Sequence, residues 1–439
     1  MTIPAQHRRA IVAATIGNAF EWYDFIVFGF LSVVIARQFF PATDPSVATL
    51  FATATFASAF LVRPLGGILL GIYADRAGRK AALSLVILLM TVSSAIMAFT
   101  PSYASIGVAA PVLIVFARLL QGLSAGGEFG SSTSMLIEYA PRMRRGYYGS
   151  WQNFGQFCAA VVAAGMGALV TRGLPAASLD AWGWRLPFLF GLLIGPVGFY
   201  IRTRLHEAPA YTAAAREAQP RASALLRDLW VNNRASLVIA FGLTVFGSVA
   251  QYVLNVYLPI YSVQQLKLRV DAPFIVLMFT GAARMALIPL FGLLSDRVGR
   301  KPVMAVSMVG YILTLYPLFA WLIAGPSLGR LLAVETVFAV LMAAALGPAS
   351  TALAELFPTR TRATGLSISY NLATTLFGGI APFAVAWLIG VTGNKMMPAL
   401  FVTTAAVVGV LALLAMPETA PCAGGSPYDD ALKPDATAR

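Results

Sequence analysis

The chain has little charge. Only 11% of its 439 residues are Asp, Glu, Lys or Arg, against roughly 25% in a soluble domain, too few to cover a water-facing surface on a chain this long. Cysteine is scarcer still. Cys158 lies in an apolar run and Cys422 in the C-terminal tail, which excludes a disulfide framework and a thiolate metal site. The only histidines are His7 and His206, both outside the apolar runs. A proton relay inside those runs therefore uses carboxylates. An intramembrane enzyme has no nucleophile–base pair or metal cluster to work with. A short basic-then-apolar leader with a cleavage site is also missing. The first apolar run already carries Glu21 and Asp24, so it is expected to be retained as a helix.

What the chain has instead is hydrophobicity, 58% of its residues and a mean hydropathy of +0.76. Apolar stretches near or above ~18 residues recur along the whole length, each long enough to cross a bilayer. They place helices roughly at 10–36, 49–71, 82–100, 108–137, 147–171, 184–202, 234–262, 274–293, 302–324, 329–355, 363–391 and 396–416. The expected fold class is an all-α integral membrane protein with twelve transmembrane helices. The net charge of +13 is topological. With both termini cytoplasmic, nineteen Arg and Lys fall in cytoplasmic segments and seven in outer ones, which sets the orientation by the positive-inside rule. Nucleic acid is not needed to explain the basic excess.

The ten residues from Gly71 to Lys80 return 221 positions later, from Gly292 to Lys301. Both copies read G-x-x-x-D-R-x-G-R-K and sit between apolar stretches. Two further landmarks repeat in order. Glu138-Tyr-Ala-Pro-Arg142-x-Arg144-Arg145 ends helix 4 and Glu355-Leu-Phe-Pro-Thr-Arg360-x-Arg362 ends helix 10, while Glu207-Ala208-Pro209 follows helix 6 and Pro417-Glu418-Thr419 follows helix 12. The chain is thus read as a duplication, the usual construction of a secondary transporter. Its expected parts are an N-terminal six-helix half at 1–202, a cytoplasmic linker at 203–233, a C-terminal half at 234–418 and a disordered cytoplasmic tail at 419–439.

Within the repeated motif, Gly71 and Gly78 permit a tight turn. Asp75 suits a helix N-terminus, and Arg76, Arg79 and Lys80 suit Glu138 or lipid phosphates. A single copy is explained equally well as a positive-inside anchor. The second copy, with Asp296, Arg297, Gly299 and Arg300, points to a mechanical latch between helices 2 and 3 and between helices 8 and 9. Arg145 and Glu355, with Glu138 and Arg362, are expected to take part.

The paired loops resemble the signature of the major facilitator superfamily. Within it, Gly17-Asn-Ala-Phe-Glu21-Trp-Tyr-Asp24-Phe resembles the helix 1 signature of the metabolite:proton symporters. So do Phe60-Leu-Val-Arg63-Pro-Leu-Gly-Gly67, Arg118-Leu-Leu-Gln121-Gly-Leu-Ser-Ala-Gly-Gly-Glu128 and Trp182-Gly-Trp184-Arg185-Leu-Pro187-Phe. The resemblance covers about residues 10–418. It implies two pseudo-symmetric six-helix halves around a midplane cavity and proton-coupled import by alternating access. It also implies no cofactor beyond the coupling proton, a bacterial-type inner membrane, and function as a monomer.

Charges inside spanning helices are costly, so they face a cavity or one another. Glu21 and Asp24 share a face of helix 1, Arg63 lies in helix 2, Arg118 and Glu128 in helix 4, and Arg284 in helix 8. These three acids and three bases can cancel as structural pairs. In the functional alternative, one arginine holds a substrate carboxylate while one acid carries the proton. Asp24 and Glu21 come first for the proton, then Glu128. Arg118 and Arg284 come first for the anion, with Arg63 behind them. Arg118 and Glu128 are about 15 Å apart along the helix and do not pair directly. Gln152, Gln156, Tyr252, Asn255, Tyr370 and Asn371 either line the cavity or only hydrogen-bond between helices. Trp22, Trp151 and Trp387 are read as interface anchors. The Gly122, Gly126 and Gly130 series is read as close helix packing, and Gly378-Gly379 with Pro382 as a bend in helix 11.

A small organic anion is the expected substrate, first a di- or tricarboxylate. Ala373-Thr-Thr-Leu-Phe-Gly-Gly-Ile-Ala-Pro and Thr392-Gly-Asn-Lys395 resemble the citrate and tricarballylate carriers. The alternatives are 2-oxoglutarate, shikimate, and the osmolytes proline and betaine. The family's osmolyte carriers can bear a coiled-coil tail, and the tail here lacks heptads. Drug export by antiport and a non-transporting sensor are the remaining rivals.

Overall fold

The computed structural model describes residues 5–40, 45–204, 222–269 and 272–423. Twelve helices in it are long and apolar enough to span a membrane: α1 Ile11–Phe30, α2 Ala57–Ala77, α3 Arg79–Phe99, α4 Ala109–Tyr139, α5 Arg142–Val170, α6 Leu179–Ile201, α7 Arg234–Gln264, α8 Ile275–Val298, α9 Arg300–Ala324, α10 Leu328–Glu355, α11 Arg362–Thr392 and α12 Met397–Ala415. No strand occurs among the described residues. The central part of the linker and most of the tail, with His206 and Glu207-Ala208-Pro209, lie outside the described residues.

Local chemistry sets where these helices stop. Thr100, Ala140 and Met416 are extended residues that close α3, α4 and α12. Each precedes a proline, whose ring drives the preceding residue out of the helical region. The repeated motif behaves differently from a loop. Helix continues through nearly all of it, and α2 and α3 are separated by Gly78 alone (φ 105°), α8 and α9 by Gly299 alone (φ 118°). Only glycine adopts that conformation without strain. Gly71 is not a turn residue. It lies inside α2, where a Cβ would come within 2.9 Å of the Thr364 backbone. Helix 1 also departs from the expected 10–36, breaking at Leu31 before a short helix Ser32–Phe39.

The hydrophobic cores segregate by half. One cluster gathers α7 to α12 and takes in Phe129, Ile137 and Phe157 from the first half. Two others are built from the first six helices. The small residues of α4 set its approach to its neighbours. A Cβ on Gly122 would lie 2.1 Å from the Ala59 carbonyl oxygen, and one on Gly126 would lie 2.2 Å from that of Arg63. Such contact between helix backbones is open only to glycine. α11 contains a π-helical segment, Thr374–Gly378, ending at the Gly378-Gly379 pair. α7 has its own at Val253–Tyr257.

Candidate functional site

At the end of the bundle that carries both motifs, the two halves are tied by charge. Asp75 accepts from the backbone N–H of Ala363 (3.2 Å) and of Thr364 (2.8 Å), and from the Thr364 hydroxyl (2.6 Å). A carboxylate from α2 thus caps the N-terminus of α11, where the helix dipole favours negative charge. Asp296 does the same for α5, accepting from Gly146 N (2.8 Å) and Tyr147 N (2.9 Å). Arg79 joins Asp75 (2.5 Å), Glu138 (3.3 Å) and the Thr359 carbonyl (2.6 Å). Arg362 adds to Glu138 (3.1 Å). In the second half Arg300 joins Asp296 (2.7 Å) and Glu355 (3.4 Å), and Arg145 reaches Glu355 at 4.0 Å.

The expected latch residues are therefore brought together, with one addition. They tie α2 to α3 through Asp75 and Arg79 and α8 to α9 through Asp296 and Arg300, and the same two carboxylates also lock α2 to α11 and α8 to α5, across the two halves. Arg76 and Arg297 point outwards and are exposed. One partner was missed: Glu418 accepts from Arg300 N (2.8 Å) and Lys301 N (2.9 Å), capping α9.

Deeper in the bundle, the buried charges form two groups. In the first half Arg63 is 2% exposed and lies 4.6 Å from the Phe25 and Phe60 ring centroids and 5.4 Å from that of Trp22. Its Nε has no hydrogen-bond partner among the described residues. Glu21 and Glu128 interact electrostatically with it. Arg118 packs at 4.7 Å on the same Phe25 ring and 4.4 Å on Phe28, and donates to Gln121 (2.5 Å). Asp24 faces Arg118, accepts from the Ser94 hydroxyl and packs against the Gly191 backbone, where a Cβ would sit 2.1 Å from its Oδ1. Gln152 donates to Asn18 Oδ1 (3.2 Å) and Glu128 (3.4 Å), while Asn18 donates to the Gln152 carbonyl (2.6 Å).

The second half holds an acid that the sequence reading missed. Glu335 of α10 pairs with Arg284 of α8 at 3.0 Å, both nearly fully buried. Arg284 also donates to the Asn255 side chain and lies 5.6 Å from the ring centroid of Phe157, in the opposite half. The signal was present in the spacing. Arg284 follows Arg63 by 221 residues, the offset of the loop motif, and Glu335 follows Arg118 by 217, the offset from Glu138 to Glu355. The two arginines are repeat mates. At the other position the charge is reversed, from arginine to glutamate.

Between the halves lies a cavity of about 50 Å³, room for only a few waters. Trp22, Phe129, Tyr252 and Tyr370 supply its aromatic walls, and Asn153, Gln156, Gln251, Ser248 and Ser350 its polar ones. Tyr370 stacks on Phe129 with centroids 3.7 Å apart. Trp22 is thus a cavity residue and not an interface anchor. Gln156, Tyr252 and Tyr370 line the cavity. Asn371 does not, since its amide donates to the Gly126 carbonyl (2.6 Å) and the Ser367 carbonyl (2.7 Å). Asn255 and Gln152 are likewise committed to Arg284 and to the Asn18–Glu128 network. Asn153 bridges the halves, donating to the Leu346 carbonyl (2.8 Å) and Ser350 (3.1 Å).

Comparison with known proteins agrees with this architecture. A family described as "Sugar (and other) transporter" matches residues 10–236, and the Major Facilitator Superfamily matches residues 275–433. A glycine betaine/proline/ectoine/pipecolic acid transporter of Dickeya dadantii is 35% identical over 432 residues, covering 96% of this chain and 85% of its own. A citrate-proton symporter of Klebsiella pneumoniae is 35% identical over 405 residues, covering 92% and 90%. In structure, a proton:xylose symporter of the major facilitator superfamily superposes with a TM-score of 0.79 at 20% identity, covering 96% of this chain and 98% of its own. That last likeness speaks to the fold.

Proposed function

The chain belongs to the major facilitator superfamily and is a proton-coupled transporter, not an enzyme; from that premise we propose that it imports a small zwitterion of the proline and betaine kind with a proton. One observation carries this reading. Of the three arginines buried deep within the spanning helices, Arg63 lies against Trp22, which lines the cavity, with Glu21 and Glu128 in its field, while Arg284 is paired directly with Glu335. One arginine holds one carboxylate, and its planar guanidinium suits that group better than lysine would. The rings of Trp22, Tyr252 and Tyr370 offer π faces to a cationic nitrogen, the usual recognition of quaternary ammonium.

Asp24 is the proposed proton carrier. Its hydrogen-bond partner Ser94 is a hydroxyl, which donates to a carboxylate and accepts from a carboxylic acid, so both protonation states are served. Glu128 is held by both the Ser132 hydroxyl and the Gln152 amide nitrogen and shares the field of Arg63 with Glu21, whereas Asp24 faces Arg118. Arg63 and Arg118 share the Phe25 ring, so a substrate carboxylate entering this cationic field competes with Asp24 for it. A proton arriving on Asp24 resolves the competition, and substrate and proton then cross together. The more basic, motif-bearing end is proposed as cytoplasmic, in an inner membrane with both termini inside. The single chain supplies every group the mechanism uses and acts as a monomer.

A second reading, a di- or tricarboxylate such as citrate or tricarballylate, is supported by the equal identity to the citrate-proton symporter. The test is uptake by proteoliposomes of proline, betaine, citrate, tricarballylate, 2-oxoglutarate and shikimate, each with and without an inward proton gradient. Gradient-driven accumulation of proline or betaine that Arg63→Gln abolishes supports the proposal. Accumulation confined to a polycarboxylate replaces it with the second reading.

A further inference from the structure

Resting on the cavity between the halves as the carboxylate site, we infer that Glu335 is a resident carboxylate which occupies the second half's counterpart of the substrate-binding arginine and so restricts the site to ligands with a single carboxylate. Three observations lead there. Arg284 stands at the repeat position of Arg63, so the duplicated fold offers one arginine from each half. Both face across the boundary, Arg63 towards Tyr252 and Arg284 over Phe157. At the mate of Arg118 the second half carries an acid instead, and that acid pairs directly with Arg284 at 3.0 Å.

The pair is incompletely satisfied where it meets the protein. Glu335 Oε1 and Arg284 Nε are buried without hydrogen-bond partners among the described residues. In the first half Glu21, Glu128 and Asp24 lie in the field of Arg63 and Arg118, whereas in the second half Glu335 pairs directly with Arg284. A ligand with one carboxylate uses Arg63 and leaves the pair intact. A ligand with a second or third carboxylate gains Arg284 only when Glu335 gives it up, which requires a proton on Glu335. The groups facing Glu335 are Arg284 from α8 and the Tyr311 phenol from α9, with Asn255 of α7 behind Arg284. No second acid among them offers the proton another seat.

The test is binding of citrate and tricarballylate to purified wild type, Glu335→Gln and the double variant Arg284→Gln/Glu335→Gln, by calorimetry from pH 5.5 to 8. Glutamine keeps the shape of glutamate and removes its charge. The expected result is that Glu335→Gln tightens polycarboxylate binding at pH 7.5 at least about tenfold, and that the double variant returns to the weak wild-type value. The wild type should approach Glu335→Gln as pH falls. The ligand's own titration is common to both proteins and cancels in their ratio. Binding no tighter in folded Glu335→Gln, or equally tight in the double variant, overturns the inference. So does a wild-type to variant ratio that is flat with pH. Proline and betaine are titrated alongside. Failure of the wild type to bind either removes the proposed substrate without touching the comparison between variants.

Discussion

Ser94 and Gly191 define what Asp24 can do. A hydroxyl on one side and a bare backbone on the other leave the carboxyl able to gain and lose a proton without rearranging its neighbours. Asp24→Asn should abolish proton-driven accumulation while leaving substrate exchange across the membrane largely intact, measured as counterflow in proteoliposomes without a gradient. Equal loss of both would return Asp24 to a structural role. Gly191→Ala should give the same split, because its methyl group would lie 2.1 Å from Asp24 Oδ1 and force the carboxyl to move; unchanged coupling there would count against Asp24. The acids of α1 and α4 were legible because each interrupts an apolar run inside a recognisable motif. Glu335 interrupts one too, at a position no motif marks, and only the repeat offset from Arg118 reveals it. The sequence ranks Arg118 ahead of Arg63, and the proposed function puts Arg63 first because it packs on Trp22, a residue of the cavity wall, a contact that sequence spacing does not reveal.

Helix–helix contacts carry the next layer. Gly126 meets the Arg63 carbonyl so closely that its replacement by alanine must push α4 from α2. Overpacking of that kind costs about 1–3 kcal/mol, so Gly126→Ala should lower the melting temperature in detergent and displace Arg63 with it. A melting temperature equal to wild type would mean the helices have slack there. The latch is a stronger element. Removing one partner of a buried ion pair costs about 3–5 kcal/mol. Asp75→Asn or Asp296→Asn should therefore shift the population towards a state open at the motif end. Raised labelling of cysteines introduced on α5 and α11 near that end would register the shift, and unchanged labelling would show that the two ties are redundant. The helices themselves were legible from hydropathy to within a few residues at most ends. The latch partners were not, because Asp75 and Thr364 are distant in sequence and no local pattern joins them. The motif was taken for a loop because its charges suggest water, whereas Asp75, Arg79, Asp296 and Arg300 are buried.

At the scale of the molecule, coupling and orientation stand or fall together. Uptake should rise as the external pH falls at constant internal pH, and a protonophore should abolish accumulation but not equilibration. Reporter tags at both termini of the full chain should be protected from protease added outside intact cells. Exposure of either tag would invert the proposed topology and, with it, the side from which the latch closes. The duplication was visible from two ten-residue motifs, and its offsets relate Arg63 to Arg284 and Arg118 to Glu335, a relation that the sequence reading did not draw.

The crossed attachment of Asp75 to α11 and of Asp296 to α5 has an ancestral meaning. Each half presents both a hook and an eye. Two copies of one such half, related by a twofold axis along the membrane normal, would close both contacts at once, an isologous interface that satisfies itself. The present chain is what that dimer becomes when its subunits are covalently joined. Fusion frees the copies to diverge, and the exchange of Arg118 for Glu335 at equivalent places is a difference that no pair of identical subunits could keep.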